Sequence, residues 1–371
     1  MGAAYSSADE VNAGDGNDSI ILQGDYGGGV TVGTIAGLES ISLAPGNITS
    51  FGDTANNLYD YDLTTSDANV AAGTVLKING FLLRTGEDFT FDGSAETDGT
   101  FTLFAGFGTE TLIGGAKNDF FLFGQDGRFA AGDTVVGGAG YDSFYLRGDY
   151  VLDFNAPAIA TAFAEIESVT LASALDTQFF GGGDSEFDYS ITWNNALLAS
   201  GQTMTINGSR LLSNESMTFI GTSELGGHFR IFAGAGNDDL RGGTGNDLFR
   251  GGGGIDNMYG GGGNDVFRYD DVLDSISSAR DHILDFSLGD RIDLSRIDAK
   301  SGTAANDAFT FIGSGPFAGT GAASAGQLRA EFLGGLIWLV QGDTNGDGVS
   351  DLEFFVTDTD SDPITTIDFV L

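Results

Sequence analysis

From Ala233 to Arg268 the chain reads AGAGNDDLR, GGTGNDLFR, GGGGIDNMY and GGGGNDVFR, nine-residue units that follow one another without a gap. Each is a glycine-rich hexad ending in aspartate, then a triplet with an apolar centre. Asp238, Asp247, Asp256 and Asp265 recur in this register, and Leu240, Phe249, Met258 and Phe267 follow them in step. A hexad suits a tight turn and a triplet a short strand, so two units make one coil and every second unit stacks one strand spacing apart, about 4.8 Å. The spacing therefore predicts Asp238 beside Asp256 and Asp247 beside Asp265. A flexible Gly/Asp linker is the competing reading, but nothing in a linker keeps an apolar residue in register.

The residue types explain one another. Gly234, Gly236, Gly243, Gly245, Gly252, Gly254, Gly261 and Gly263 let the turn enter positive φ and bring backbone carbonyls together where a Cβ would obstruct them. Carboxylates stacked at strand spacing repel and raise each other's pKa unless a cation lies between them. Calcium takes about six to eight hard oxygen ligands. The four aspartates and the carbonyls of these eight glycines are thus the candidate ligands for several calcium ions. The apolar centres of the triplets are expected to face inward, with Asp239, Arg241, Arg250, Asn257 and Arg268 toward solvent.

Composition sets the bounds. At 371 residues, with 41% hydrophobic residues and 4 prolines, the chain has room for two or three folded domains. Sixty glycines and a phenylalanine-rich aromatic set favour turns and strands over helices. A formal charge of −38 makes nucleic acid and anionic membranes poor partners and calcium a natural counterion. With 0 cysteines, rigidity has to come from the core or from metal. The opening MGAAYSSADEV has neither the basic region nor the apolar stretch of a signal peptide. No apolar run approaches the roughly 18 residues of a membrane span; the longest, Leu333 to Val340, reads as a strand.

The chain also contains a duplication. Residues 59–124 align with 187–252 without a gap, 28 of 66 pairs being identical, among them Ile78-Asn79-Gly80 with Ile206-Asn207-Gly208. Upstream, DEVNAGDGNDSIILQGDY (Asp9 to Tyr26) aligns with DTVVGGAGYDSFYLRGDY (Asp133 to Tyr150). Each copy opens on a hexad and closes on others, so Asp18, Asp142 and Asp119 join the candidate ligands. In copy one the closing hexads are AGFGTE and GGAKND, with Glu110 in place of aspartate and Lys117 in place of glycine. Lys117 either sets its ammonium among the carbonyls or is a surface residue beside an empty turn. The expected divisions are 1–128 and 129–232, the two β-rich modules, then the nonapeptide coils at 233–268 and a carboxyl-terminal segment at 269–371.

These repeats match the nonapeptide G-G-x-G-x-D-x-U-x, and the chain resembles the RTX (repeats-in-toxin) calcium-binding proteins. The segments DHILDFSLGDRIDLSRIDA (Asp281 to Ala299), AFTFIGSGPF, GQLRAEF and WLVQGDTNGDGVSDLEFFV (Trp338 to Val356), with the terminal Asp368-Phe369-Val370-Leu371, resemble the carboxyl-terminal domain of serralysin-type metalloproteases. The resemblance implies an all-β fold, a parallel β-roll at 233–268 capped by a β-sandwich at 269–371, with an uncleaved signal for Gram-negative type I export. It also implies that Asp281 and Asp285 complete the coordination sites left open by the last repeat. It brings no protease: of the H-E-x-x-H zinc motif there is nothing, the two histidines being His228 and His282, neither beside a glutamate in that frame. The loop from Asp343 to Gly348 reproduces half of an EF-hand, but Phe354 stands where the bidentate glutamate belongs, and a plain hairpin is the alternative.

The reading that follows is a secreted, non-catalytic calcium-binding protein, unfolded in the cytosol and folding from near its carboxyl terminus in extracellular calcium. Its role would be in a surface, matrix or adhesive layer. Expected partners are calcium, the type I secretion machinery and cell-surface or matrix glycans, the last through Trp193, Tyr189 and Tyr61 if these are not core. The alternative is an enzyme, either part of a larger hydrolase, lyase or epimerase, or one with catalysis hidden in the duplicated modules. No G-x-S-x-G, phosphate loop or cysteine nucleophile supports it.

Overall fold

The computed structural model describes residues 11–32, 35–51, 56–125, 127–157, 159, 163–179, 186–321, 324–360 and 362–371. The opening residues 1–10, with Asp9 of the duplication, lie outside them. The chain divides into two compact units, one of residues 1–149 with 154–170 and the other of residues 150–153 with 171–371.

Alternation of apolar and polar residues builds the first unit. In Phe89–Asp92 and Glu110–Ile113 the buried and half-buried positions alternate, as a strand with one face in a core requires. Tyr26–Thr31, Tyr61–Thr64, Phe89–Asp92, Glu110–Ile113, Thr134–Val136 and Phe163–Ala164 pair in this order, all parallel. A second parallel array runs through Ser19–Leu22, Ser40–Leu43, Val75–Asn79, Thr100–Phe104, Phe120–Phe123 and Ser143–Leu146. From Ser40–Leu43 to Ser143–Leu146 the chain alternates between the arrays, each strand followed by a turn into the other; Val11–Asn12 and Ile35–Ala36 pair separately. Phe91 and Phe101, from opposite arrays, meet edge to face with centroids 4.9 Å apart.

The second unit repeats the plan. Tyr150–Asp153, Tyr189–Thr192, Met217–Ile220, Asp239–Arg241, Asn257–Tyr259 and His282–Phe286 form one parallel array. Thr203–Asn207, His228–Phe232, Leu248–Arg250, Val266–Arg268, Arg291–Asp293 and Phe369–Val370 form the other. Leu240 pairs with Met258 and Phe249 with Phe267, which is the register the nine-residue period predicts. All four are buried. The coiled geometry is not confined to the nonapeptides: strands of both duplicated copies, including Val75–Asn79 and Thr203–Asn207 ahead of their Asn-Gly pairs, lie in parallel arrays, not hairpins.

Beyond the coils, Leu352–Asp358 joins His282–Phe286 in parallel, then pairs antiparallel with Ile337–Asp343, which pairs antiparallel with Gln327–Gly334. The run Leu333 to Val340 is therefore not one strand. It straddles a hairpin turn, because Gly334, Gly335 and Leu336 all take positive φ (101°, 62° and 76°). Among the described residues the helical segments are single 3-10 turns, such as Asn195–Leu197 and Val272–Asp274, and no helix is long and apolar enough to cross a membrane.

Candidate metal centre

The turns of the second unit lie along two edges. On the first, leading out of the Thr203–Asn207 array, Glu215, Asp238, Asp256 and Asp281 end successive turns. On the other, Glu224, Asp247, Asp265 and Asp290 occupy successive turns. Every aspartate in these columns turns one carboxylate oxygen onto a backbone amide of the preceding coil. Met217 N donates to Asp238 Oδ1 at 2.6 Å, Asp238 N to Asp256 Oδ1 at 2.9 Å and Asp256 N to Asp281 Oδ1 at 3.0 Å. Opposite, Phe229 N donates to Asp247 Oδ1 at 2.7 Å, Asp247 N to Asp265 Oδ1 at 2.8 Å and Asp265 N to Asp290 Oδ1 at 2.9 Å.

The second carboxylate oxygen carries the metal argument. Oδ2 of Asp238, Asp256 and Asp281 is buried and has no hydrogen-bond donor, as is Oε2 of Glu224. An unsatisfied buried carboxylate oxygen is costly, and several in one column call for a cation. The glycines supply the rest of the cradle. A Cβ on Gly252 would lie 2.0 Å from the Gly234 carbonyl oxygen, on Gly254 2.0 Å from that of Gly236, on Gly261 2.1 Å from Gly243 and on Gly263 2.3 Å from Gly245. These four have positive φ, whereas Gly234, Gly236, Gly243 and Gly245, expected to share it, do not; at the four, only glycine stacks its turn this closely on the one before. The hard-oxygen donor set of clustered carbonyls and buried carboxylates fits calcium.

Burial pushes the carboxyls up, to about 7 for Asp238 and Asp247, about 8 for Asp265 and about 10 for Asp256, where the neighbouring Asp281 and Asp238 charges add to desolvation. Asp281 is likewise held well above the usual carboxylate range, chiefly by burial. Such groups resist ionisation in the bare fold. A bound divalent cation would supply the missing countercharge.

In the first unit Asp119 and Asp142 form the same ladder: Phe101 N donates to Asp119 Oδ1 at 2.6 Å, Asp119 N to Asp142 Oδ1 at 2.7 Å and Asp142 N to Glu167 Oε2 at 2.7 Å. Burial raises Asp119 to about 6 and Asp142 to about 7. Asp18 is half-buried, its amide donating to Glu39 Oε2 at 2.7 Å and its Oδ2 without a donor. Glu110 holds the aspartate position with a glutamate: Gly106 N donates to Oε1 at 3.0 Å, Oε2 is buried without a donor, and burial lifts the carboxyl to about 9.

The structure decides several alternatives that the sequence leaves open and corrects other expectations. Lys117 is exposed, so its ammonium does not sit among the carbonyls. Asp281 continues the column of Asp256 and not that of the last repeat; Asp265 is continued by Asp290, which the sequence reading did not select. Asp285 instead accepts from Gly260 N at 2.8 Å and Gly261 N at 3.0 Å. Of the flanking triplet residues only Asn257 is exposed; Asp239, Arg241, Arg250 and Arg268 are half-buried. Trp193, Tyr189 and Tyr61 are core, the two phenols donating to the carbonyls of Ala172 and Ala44, so they offer glycans no surface. His228 Nδ1 accepts from Asn246 N at 2.9 Å, and His282 Nε2 lies 2.7 Å from Thr357 Oγ1. In the EF-hand-like loop, Asp343 accepts from Gly346 N, Gly348 N and Ser324 Oγ, and Phe354 is buried.

Sequence reasoning also missed the glutamates Glu87, Glu96, Glu215 and Glu224. Their turns lack the nonapeptide spacing, but a signal exists. N-G-x-x-L-x-x-x-E occurs at 79–87 and 207–215, and G-x-x-E-x-x-G at 93–99 and 221–227. Glu96 Oε1 accepts from the amides of Thr97, Asp98 and Gly99, and Glu224 Oε1 from those of Leu225, Gly226 and Gly227, leaving Oε2 without a donor in both.

Residues 181–323 match the family described as Peptidase M10 serralysin C terminal. Residues 4–25, 104–127 and 129–149 match the RTX calcium-binding nonapeptide repeat. No curated protein matches the chain. Neither family match includes a protease domain, and both kinds of domain are typical of type I secreted proteins. With stacked turns and buried carboxylates in the matched segments, the chain carries RTX calcium-binding nonapeptide repeats and a serralysin-type C-terminal domain.

Proposed function

We propose that the protein is a non-catalytic component of an extracellular surface, matrix or adhesive layer, exported through the Gram-negative type I machinery and folded by calcium outside the cell. The ligands are Asp238, Asp247, Asp256 and Asp265 with the carbonyls of the hexad glycines, joined by Asp18, Asp119, Asp142, Asp281 and Asp285. The observation that carries this reading is the column of buried carboxylate oxygens without donors at Asp238, Asp256 and Asp281. In cytosol, calcium is too scarce to fill sites of the roughly 10⁻⁴–10⁻³ M affinity of extracellular modules, and the self-repelling chain stays unfolded and exportable. Outside, the ion neutralises the columns and the coils close.

Calcium titration of the purified chain at pH 7.5, followed by far-UV circular dichroism and calorimetry, tests this. A coil-to-β transition at sub-millimolar to millimolar calcium is expected. Full β structure in chelator would overturn the folding switch.

A further inference from the structure

Copy one differs from copy two along the edge that carries Glu87, Glu110 and Asp133. Where copy two has the six-residue turn Gly251 to Asp256, copy one has the ten-residue turn from Gly124 to Asp133. The longer turn places Arg128 inside the fold. The residue is 7% exposed, and its guanidinium NH1 donates to the carbonyls of Phe81 at 2.9 Å and Ala105 at 3.3 Å. Its carbon stands 4.0 Å from the ring centre of Phe81 and 3.7 Å from that of Phe107. Ala105 opens the hexad that ends in Glu110.

The residues around the guanidinium change together between the copies. Phe81 and Phe107 align with Ser209 and Ala235, and Glu110 with Asp238. Copy two thus has the shorter carboxylate and no aromatic pair to hold a planar cation. One coil earlier, Arg84 grips Glu87 through Nε at 3.0 Å and NH2 at 2.8 Å, and donates from NH2 to the carbonyl of Asn57. Leu212 occupies the aligned position in copy two. The nearby Arg210 of copy two is turned outward, its side chain 73% exposed and 3.8 Å from Asp176.

We infer that Arg128, seconded by Arg84, is a built-in replacement for calcium on this edge: the guanidinium takes the carbonyls of two successive turns, Phe81 and Ala105, as hydrogen-bond acceptors and sets a fixed positive charge among them. A guanidinium suits the task because it stays charged, donates in a plane and stacks on aromatic faces. The turn Ala105 to Glu110 then takes no metal, although it lies within a segment matched to the calcium repeat. Calcium in copy one belongs to the opposite edge, at Asp119 and Asp142. The consequence is a metal-independent patch in a chain whose other turns wait for calcium. This deepens the calcium-folding proposal and rests on it.

The test is amide hydrogen exchange on the full chain in chelator at pH 7.5, comparing peptides over Glu110–Ile113 and Asp239–Arg241. The expected result is exchange at least about tenfold slower at Glu110–Ile113. Arg128→Gln should abolish that difference. Equal, fast exchange of both segments in the wild type would overturn the arginine assignment, as would protection unchanged by Arg128→Gln. If both segments are protected in chelator, the calcium dependence of the nonapeptides is what fails, and the Arg128→Gln arm still decides the role of the guanidinium.

Discussion

Protons and calcium should substitute for one another in closing the coils. Asp238, Asp247 and Asp265 are at most 2% exposed, with carboxyls raised from 3.8 to about 7, 7 and 8. Because the folded values are the higher ones, the unfolded chain ionises first. Stability from the protonated groups is therefore complete below about pH 3.8 and is lost as the pH rises through about 7 to 8. At about 1.4 kcal/mol per pKa unit, each loses roughly 2 to 3 kcal/mol between pH 5 and pH 7, and the three together about 7 kcal/mol. That is comparable with the whole stability of a typical domain, about 5–15 kcal/mol. Without calcium the chain should hence gain β structure as the pH falls from 8 to 5, still above its pI of about 4.1. The assay is far-UV circular dichroism in calcium-depleted buffer at constant ionic strength. With millimolar calcium the chain should be folded at pH 8, and its calcium affinity should fall toward pH 5. A calcium-free chain equally structured at pH 8 and pH 5, or better structured at pH 8, would refute the reasoning.

Other perturbations separate the parts of the site. Asp256→Asn keeps an oxygen for the Asp238 amide but removes a charge; calorimetry should show weaker or fewer calcium sites, while urea denaturation in chelator at pH 8 should show a more stable chain. Gly252→Ala drives a methyl to 2.0 Å from the Gly234 carbonyl oxygen, whereas the nearest atom to a Cβ on Gly253 is 3.8 Å away. A cost of about 2 kcal/mol or more for the first should move the calcium midpoint by at least about tenfold, the second leaving it within about twofold. Phe249→Ala removes a ring stacked on Phe267 at a centroid distance of 5.3 Å, and thermal denaturation in saturating calcium should register a loss of about 3–5 kcal/mol.

The register of the nonapeptides was legible because turn and strand have fixed lengths there, so the apolar centres and the aspartates carry one period. Elsewhere the turns vary. Gly208 to Glu215 and Gly221 to Glu224 bring their carboxylates into the same columns through loops of different length, and periodicity cannot see a column whose rungs are unevenly spaced in sequence. Lys117 shows another limit: substitution at a turn position reveals that a ligand has changed but not where the new side chain points. Arg128 is the complement of that case. It lies outside any hexad and reaches its carbonyls only through the longer turn, so pattern matching had no reason to select it.

The ladders of the second unit have unlike ends. Each carboxylate belongs to the coil on the carboxyl side of the amide it accepts, from Met217 N and Asp238 through to Asp256 N and Asp281. Removing a coil from the amino side frees a carboxylate, which water solvates readily; removing one from the carboxyl side strands an amide in the interior. The final rungs are closed locally, Asp281 N donating to Ser275 Oγ and Asp290 N to the carbonyl of Ser287. Like a filament with a fixed terminator at one tip, this architecture can be lengthened on its amino side without a new terminator. In sequence the duplicated modules precede the nonapeptides, the direction in which added coils leave the closed rungs at Asp281 and Asp290 untouched.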